Sequence, residues 1–388
     1  MPMEKRSDYG LAMPTIEMAR HPDNRKLRVG VIGGGFGRTH LTAFQVCENV
    51  EVEAFCRRTR QSAENTAKEF QIPRVFTDYR ELLELKGLDA VSIAAPVYLH
   101  YPIAMEAMDR GIHVLCEKPL ALNKDEAAAM LLKAEEKKLA HMTAFNYRFV
   151  PAIRRMKELL EEGYVGNRIY HVDGVWFGET RADLNAPLGW RYRREMAGFG
   201  ALGDMGVHLI DLVRWLAGDF KKVCAHTAIF NRERKLPDGS GKGSVTVEDS
   251  CAFVAEMEGG AQASIHVSGA ARSSNYRGLD IFGSDGMLRL LIDRKAPGGV
   301  PGRLWGAQGS GAVPQPIPIP ERLTQGSERS APERAPAEFI FATLTRRFAE
   351  WIRTGEAAVP SFREGFEAQK VLDALLKSAA EECWVRVA

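Results

Sequence analysis

Lys118 stands where an apolar run stops. His113-Val114-Leu115-Cys116 reads as a buried strand, and it passes straight into Glu117-Lys118-Pro119-Leu120, with Pro119 stiffening the backbone after the lysine. An ammonium held at a strand's carboxyl end can hydrogen-bond a substrate oxygen and stabilise alkoxide character as it develops. Far along the chain, Gly198-Phe199-Gly200-Ala201-Leu202-Gly203-Asp204-Met205-Gly206-Val207-His208 supplies a complementary set. On a helix Asp204 and His208 are four residues apart and share a face, with Asp211 about two turns on from Asp204. A neutral imidazole is a suitable proton acceptor near pH 7. Each residue also has a plainer reading, the lysine as surface charge and the histidine as a satisfied helix-face partner. An Asp-x-x-x-His pair is also half of a metal site, but no third His, Cys or Asp ligand stands out, and no metal is expected.

A second chemical feature is glycine-rich. Val31-Ile32-Gly33-Gly34-Gly35-Phe36-Gly37 lies where a first strand turns into a first helix, the place where a backbone without Cβ atoms can approach a pyrophosphate at the helix N-terminus. From Gly33 the pattern is GxGxG, and Arg38 occupies the place of the usual third glycine. The second strand ends Ala54-Phe55-Cys56-Arg57-Arg58-Thr59, with no acid for a ribose 2′-hydroxyl. Arginines there suit a 2′-phosphate, so NADP is expected ahead of NAD. A solvated strand end is the plain alternative.

These groups need elements to place them. Strands expected at 27–32, Val50–Cys56, Ala90–Ala94 and His113–Cys116 alternate with helices from about Thr39, near Ser62–Phe70, around Ile103–Arg110 and over Lys124–Lys138. That rhythm implies a doubly wound parallel sheet, a Rossmann domain over 28–150, with its loops gathered at the strands' carboxyl ends. From 151 to 388 the rhythm changes. Strands expected at 168–177, 221–230, 244–257, 261–268, 277–283 and 286–292 imply an α+β domain with a large, mostly antiparallel open sheet. Residues 296–337, rich in Pro, Gly and Ser, read as an irregular loop, and two amphipathic helices close the chain. Residues 1–27 read as a polar extension.

Composition narrows the class. A chain of 388 residues with 45% hydrophobic residues and a net charge of +2 suits two globular domains, and gives no sign of a nucleic-acid or membrane partner. Six scattered cysteines point to reduced thiols in the cytoplasm. A sheet with helices on one face leaves the other uncovered, which predicts a homodimer or a homotetramer.

The motifs together resemble the Gfo/Idh/MocA family, after glucose–fructose oxidoreductase, inositol dehydrogenase and a rhizopine-catabolism protein. The resemblance covers residues 28–388 and rests on Ala95-Pro96 with His100, Glu117-Lys118-Pro119, Phe145-Asn146-Tyr147-Arg148-Phe149, the Asp204-x-Gly206-x-His208 segment and Pro360-Ser361-Phe362. Departures are Arg38, Phe199 inside the paired glycines, and Val97 where Asn is frequent. The resemblance implies an NAD(P)-dependent oxidoreductase that interconverts hydroxyl and ketone on a sugar, sugar derivative or cyclitol. It implies catalytic roles for Lys118, Asp204 and His208. Cofactor contacts are expected from Gly33, Gly35, Phe36, Gly37, Arg57, Arg58, Ala95, Pro96, His100, Glu117, Lys118 and Asn146. Substrate contacts are expected from Lys118, Arg148, Trp190, Arg191, Asp204 and His208. A non-catalytic sugar or dinucleotide sensor, and a redox-neutral glycoside-cleaving enzyme, are the alternatives within the same fold.

Overall fold

A computed structural model of the chain describes residues 25–292, 302–324 and 336–388. The first sheet is built from β1 (Leu27–Ile32), β2 (Val50–Cys56), β3 (Arg74–Phe76), β4 (Ala90–Ile93), β5 (His113–Cys116) and β6 (His141–Thr143). Between them lie α1 (Gly37–Gln45), α2 (Arg60–Phe70), α3 (Tyr79–Leu83), α4 (His100–Asp109) and α5 (Lys124–Glu136). The strands are all parallel in the order β3-β2-β1-β4-β5-β6. Helices cover both faces, so β4 is buried at every position, as its unbroken apolar run requires. Strand order reverses between β1 and β4, which opens a crevice at their carboxyl ends.

After α6 (Pro151–Glu161) a nine-stranded sheet forms from β7 (Ile169–Phe177), β8 (Phe220–Ala228), β11 (Ser250–Met257), β12 (Gln262–Ser268), β13 (Arg277–Gly283), β14 (Gly286–Leu291), β15 (Arg303–Gln308), β16 (Gln315–Ile317) and β17 (Val385–Arg386). Its pairings are antiparallel apart from the parallel β7–β12 contact. A small hairpin of β9 (Glu233–Lys235) and β10 (Lys242–Ser244) stands apart. The short α7 (Arg194–Ala197) precedes α8 (Val207–Ala217), and α9 (Glu321–Thr324), α10 (Pro336–Thr354) and α11 (Phe362–Glu381) follow the sheet. Helices α6, α8 and α11 pack on one face. The other face exposes Asp173, Ala252, Val254, Ser264 and His266.

The irregular loop expected over 296–337 is corrected where it is described. Residues 303–308 and 315–317 are strands that extend the sheet edge, and 321–324 form α9. Pairing with β14 overrides the loop-like composition, because Leu304 and Ala307 gain burial against the core. Pro316 is tolerated because β16 is the edge strand. Residues 296–301 and 325–335, and the extension up to residue 24, lie outside the described residues.

The closing helices join the two sheets. Phe341 of α10 packs 4.4 Å from His40 of α1, and the Thr345 hydroxyl donates to the Ala43 carbonyl at 3.2 Å. Helix α11 starts with a capping box between Ser361 and Glu364, and the Thr143 hydroxyl of β6 donates to the Ser361 carbonyl. One buried apolar cluster therefore runs from Phe44 through Phe348 to Leu209 and Val267. The segment Arg194–Ala217 is apolar enough in composition to cross a bilayer, but 89% of its most apolar stretch is buried inside the fold, where it serves the core.

Candidate active site

A cavity of about 1160 Å³ runs from the crevice between β1 and β4 to the face of the second sheet. Its first end is the glycine loop. Gly33 and Gly35 adopt φ of 126° and 57°, the left-handed region that side chains avoid. A Cβ on Gly33 would strike the Ala94 carbonyl group. Among the described residues the N–H groups of Gly34, Gly35 and Phe36 donate to no backbone carbonyl, and α1 begins directly behind them. Close backbone approach, free amides and a helix N-terminus fit the pyrophosphate of a dinucleotide. Gly37 does not reach the cavity, because it packs against Ala94, Val31 and Phe55. Its expected cofactor contact becomes helix–sheet packing. The Arg57 guanidinium lies over Gly34, and exposed Arg58 lines the same end.

Beyond the loop, Ala95, Pro96 and His100 line the wall from the β4 side. His100 is expected to contact cofactor, yet its ring is held inside the fold between two backbone carbonyl oxygens, to one of which a neutral imidazole donates. Nδ1 lies 3.0 Å from the Pro119 carbonyl oxygen and Nε2 lies 2.9 Å from that of Ala95. The ring thus ties the segment after β4 to the segment after β5. Burial holds its imidazole below the ordinary histidine range, against the pull of the two carbonyls. Glu117 is likewise turned inward. Its Oε1 is 3.1 Å from His40 Nε2, His40 Nδ1 is 2.6 Å from the Ser92 hydroxyl, and Glu117 Oε2 accepts the Lys118 backbone N–H. A buried polar chain from α1 and β4 therefore fixes the backbone at Lys118.

Lys118 projects across the cleft. Its Nζ donates to the Asp204 carbonyl at 2.7 Å and lies 3.8 Å from Asp204 Oδ1. Asp204 sits in a π-helical turn, Leu202–Gly206, which runs into α8 in place of the plain α-helix expected. Such bulges displace backbone and side chains from the regular ladder, as sites often require. The turn is anchored by Glu248, whose Oε1 accepts the N–H groups of Gly200 and Leu202 at 2.6 and 3.1 Å, and Gly203 packs on Pro119. His208 lines the cavity at 8% exposure. Tyr147 meets its ring edge-on at 4.8 Å, and Trp176 stacks at 6.2 Å with 17° between planes. Tyr147 Oη in turn accepts from Arg277 at 3.2 Å.

The expected residues thus largely converge. Asn146, Trp190 and Arg191 line the cavity, and Arg191 stacks on Trp190 at 4.4 Å. Arg148 is corrected. It is 3% exposed and does not line the cavity, and its Nε and Nη2 form a two-pronged pair with Asp211 at 2.8 and 2.6 Å. The fork satisfies a buried carboxylate and joins the 146–149 turn to α8. Sequence reasoning missed His40, Ser92, Glu248, Arg181 and Arg277. His40 and Glu117 are 77 positions apart. No local spacing connects them, although a histidine one turn into the helix after a glycine loop was a usable cue.

Two sequence profiles match the chain. One, described as the oxidoreductase family with an NAD-binding Rossmann fold, covers residues 27–145. The other, the GFO/IDH/MocA C-terminal domain, covers 153–289. Levoglucosan dehydrogenase of Pseudarthrobacter phenanthrenivorans is 31% identical, over 94% of this chain and 98% of the relative. D-apiose dehydrogenase of Paraburkholderia graminis is 25% identical, over 92% of this chain and 88% of the relative. A solved levoglucosan dehydrogenase in complex with NADH and levoglucosan superposes with a TM-score of 0.86 at 30% identity, covering 94% of this chain and all of that one.

Proposed function

The chain belongs to the Gfo/Idh/MocA family of oxidoreductases, and from that premise we propose that it is an NAD(P)-dependent dehydrogenase of a sugar, sugar derivative or cyclitol. One observation carries the reading: the Lys118 ammonium, the Asp204 carboxylate and the His208 imidazole border one cavity whose far end is the glycine loop. When bound, the nicotinamide supplies the carbon that accepts or returns hydride. The chain's own groups handle the proton. His208 takes it from the hydroxyl being oxidised, and returns it in reduction. Lys118 keeps donors to spare after its bond to the Asp204 carbonyl, and one of them holds the same oxygen as negative charge develops. Asp204 binds a neighbouring hydroxyl and orients the substrate. Phe145, Tyr147 and Trp176 pack around the imidazole and restrict water. Oxidation of a panel of hexoses, inositols and their derivatives, followed at the nicotinamide absorbance, tests the reading. Loss of all hydride transfer across the panel, with cofactor bound, would favour a sensor.

On the cofactor, the arginines replacing the usual acid favour NADPH over NADH. Neither Arg57 nor Arg58 has an ion pair among the described residues, so both are open to a 2′-phosphate. Calorimetric titration should give tighter binding of NADPH, and Arg57→Ala should weaken it by about tenfold while sparing NADH. Equal affinities, with NADPH binding unchanged in the variant, would return the arginines to solvent.

We also propose association through the open face of the large sheet, where Ala252 and Val254 are exposed between polar neighbours. Light scattering at micromolar concentration should report a dimer or tetramer, and a monomer would end the idea.

A further inference from the structure

We propose that the substrate carries an anionic group, a carboxylate or a phosphate, received by the arginine-lined wall that the second domain contributes. The proposal rests on the dehydrogenase reading above and names the substrate class within it.

The charge on the cavity wall is lopsided. Eight lysine and arginine side chains line it against three acids. Arg57, Arg58 and Arg80 stand with Asp78 at the cofactor end, where a dinucleotide's phosphates answer them. Glu117 is committed to His40. What remains around the substrate is Lys118, Arg181, Arg191, Arg193 and Arg277 against Asp204 alone. A neutral sugar needs hydrogen-bonding partners, not a net positive field focused by low-dielectric walls.

One arginine in this wall is built in. Arg181 is 2% exposed and spends Nη2 on the Arg191 carbonyl at 3.0 Å, while its Nε and Nη1 have no hydrogen-bond partner among the described residues. Its guanidinium lies 5.2 Å from the Tyr192 ring centre, and Arg234, 1% exposed, lies 4.0 Å from the same centre. Arg234 donates to the carbonyls of Arg181, Asp183 and Ala186. No carboxylate comes within 4.0 Å of the guanidinium of Arg181, Arg191 or Arg234 among the described residues. Arg234 is explained as a clamp on the 181–186 loop. Arg181, buried with its Nε and Nη1 unsatisfied among the described residues, is not explained in that way, and exposed Arg191 stands beside it on the cavity wall. Buried cations are ordinarily matched by acids, and desolvation without a counter-charge is costly. A ligand anion supplies the match, and the planar fork of arginine suits both carboxylate and phosphate.

The experiment uses matched trios on several rings: glucose, galactose and mannose, each beside its uronic acid and its 6-phosphate. With cofactor in excess, kcat/KM is read at the nicotinamide absorbance, and affinity is read by calorimetry on the enzyme with reduced cofactor bound. For at least one ring, the uronate or the phosphate should exceed the neutral parent by roughly ten- to a hundredfold, the scale of one charge-assisted hydrogen bond. The winning arm identifies which anion the site takes. The advantage should shrink as ionic strength rises. Arg191 is exposed, so the fold does not depend on it. Arg191→Met should raise KM for the anionic substrate more than for its neutral parent, and Arg191→Lys should restore part of the difference. Neutral parents that match or exceed both anions overturn the proposal and leave the dehydrogenase reading standing. An anionic preference untouched by Arg191→Met overturns the assignment to this wall. If no ring of any charge reduces cofactor or binds the loaded enzyme, both readings fall.

Discussion

Replacing His208 by asparagine should lower turnover by about 10²–10⁴, with cofactor affinity and folding near those of the parent. The size of the loss follows from the role. Asparagine keeps a hydrogen-bonding group of comparable bulk but cannot accept the hydroxyl proton, so the chemical step loses its base and little else. Cofactor affinity is spared because His208 belongs to α8, at the other end of the cavity from the glycine loop and Arg57. Folding is spared because the ring's neighbours Tyr147 and Trp176 are positioned independently, Tyr147 through Arg277 and Trp176 within β7. The measurement is kcat with a confirmed substrate, set beside a cofactor titration and a melting curve. A folded, cofactor-binding variant that turns over near the parent rate would show that another group takes the proton. Asp204→Asn should fall less far, mainly through KM, since an amide still hydrogen-bonds a hydroxyl.

How much of this was legible beforehand depends on the range of the interactions. Strands β1, β2, β4 and β5 of the first sheet were readable because each is followed by a helix in a local alternation, whereas β3 and β6, three residues each, are too short to carry such a pattern. That Lys118, Asp204 and His208 border one cavity was readable because each motif is local, and the resemblance joined two motifs 86 positions apart. The strand Arg303–Gln308 was not readable. Its residues gain burial only by pairing with β14, and a glycine sits in its middle, at 306. The same holds for Arg148. Nothing near it in sequence marks it as the partner of Asp211, 63 residues on, so in sequence it reads as a ligand-binding residue of a polar turn. The π-turn under Asp204 depends on Glu248 reaching back to Gly200 and Leu202. Helical spacing alone put Asp204 and His208 on one face, and they do share one cavity, but by a bulged route.

Loss of the Lys118 ammonium should produce a different defect from loss of His208. Lys118→Ala should cut turnover by about 10²–10³, as expected for one donor aimed at a developing oxyanion. Unlike the histidine variant, it should also raise KM and weaken cofactor binding. The reason lies in its position: Lys118 leaves the first sheet at the end of β5 and bonds the Asp204 carbonyl of the second domain, so one side chain spans the cleft. Lys118→Met keeps the aliphatic stem and removes only the charge, which separates packing from electrostatics. Its turnover should stay as low as that of the alanine variant. The double variant Lys118→Met with His208→Asn tests whether the two groups serve one oxygen. Acting on the same atom in the same step, their losses should combine to less than the product of the two. A full product would mean that they act independently, on different atoms or in different steps. Lys118 would then be a cofactor or domain contact, and the developing charge would have to be met by another donor bordering the cavity.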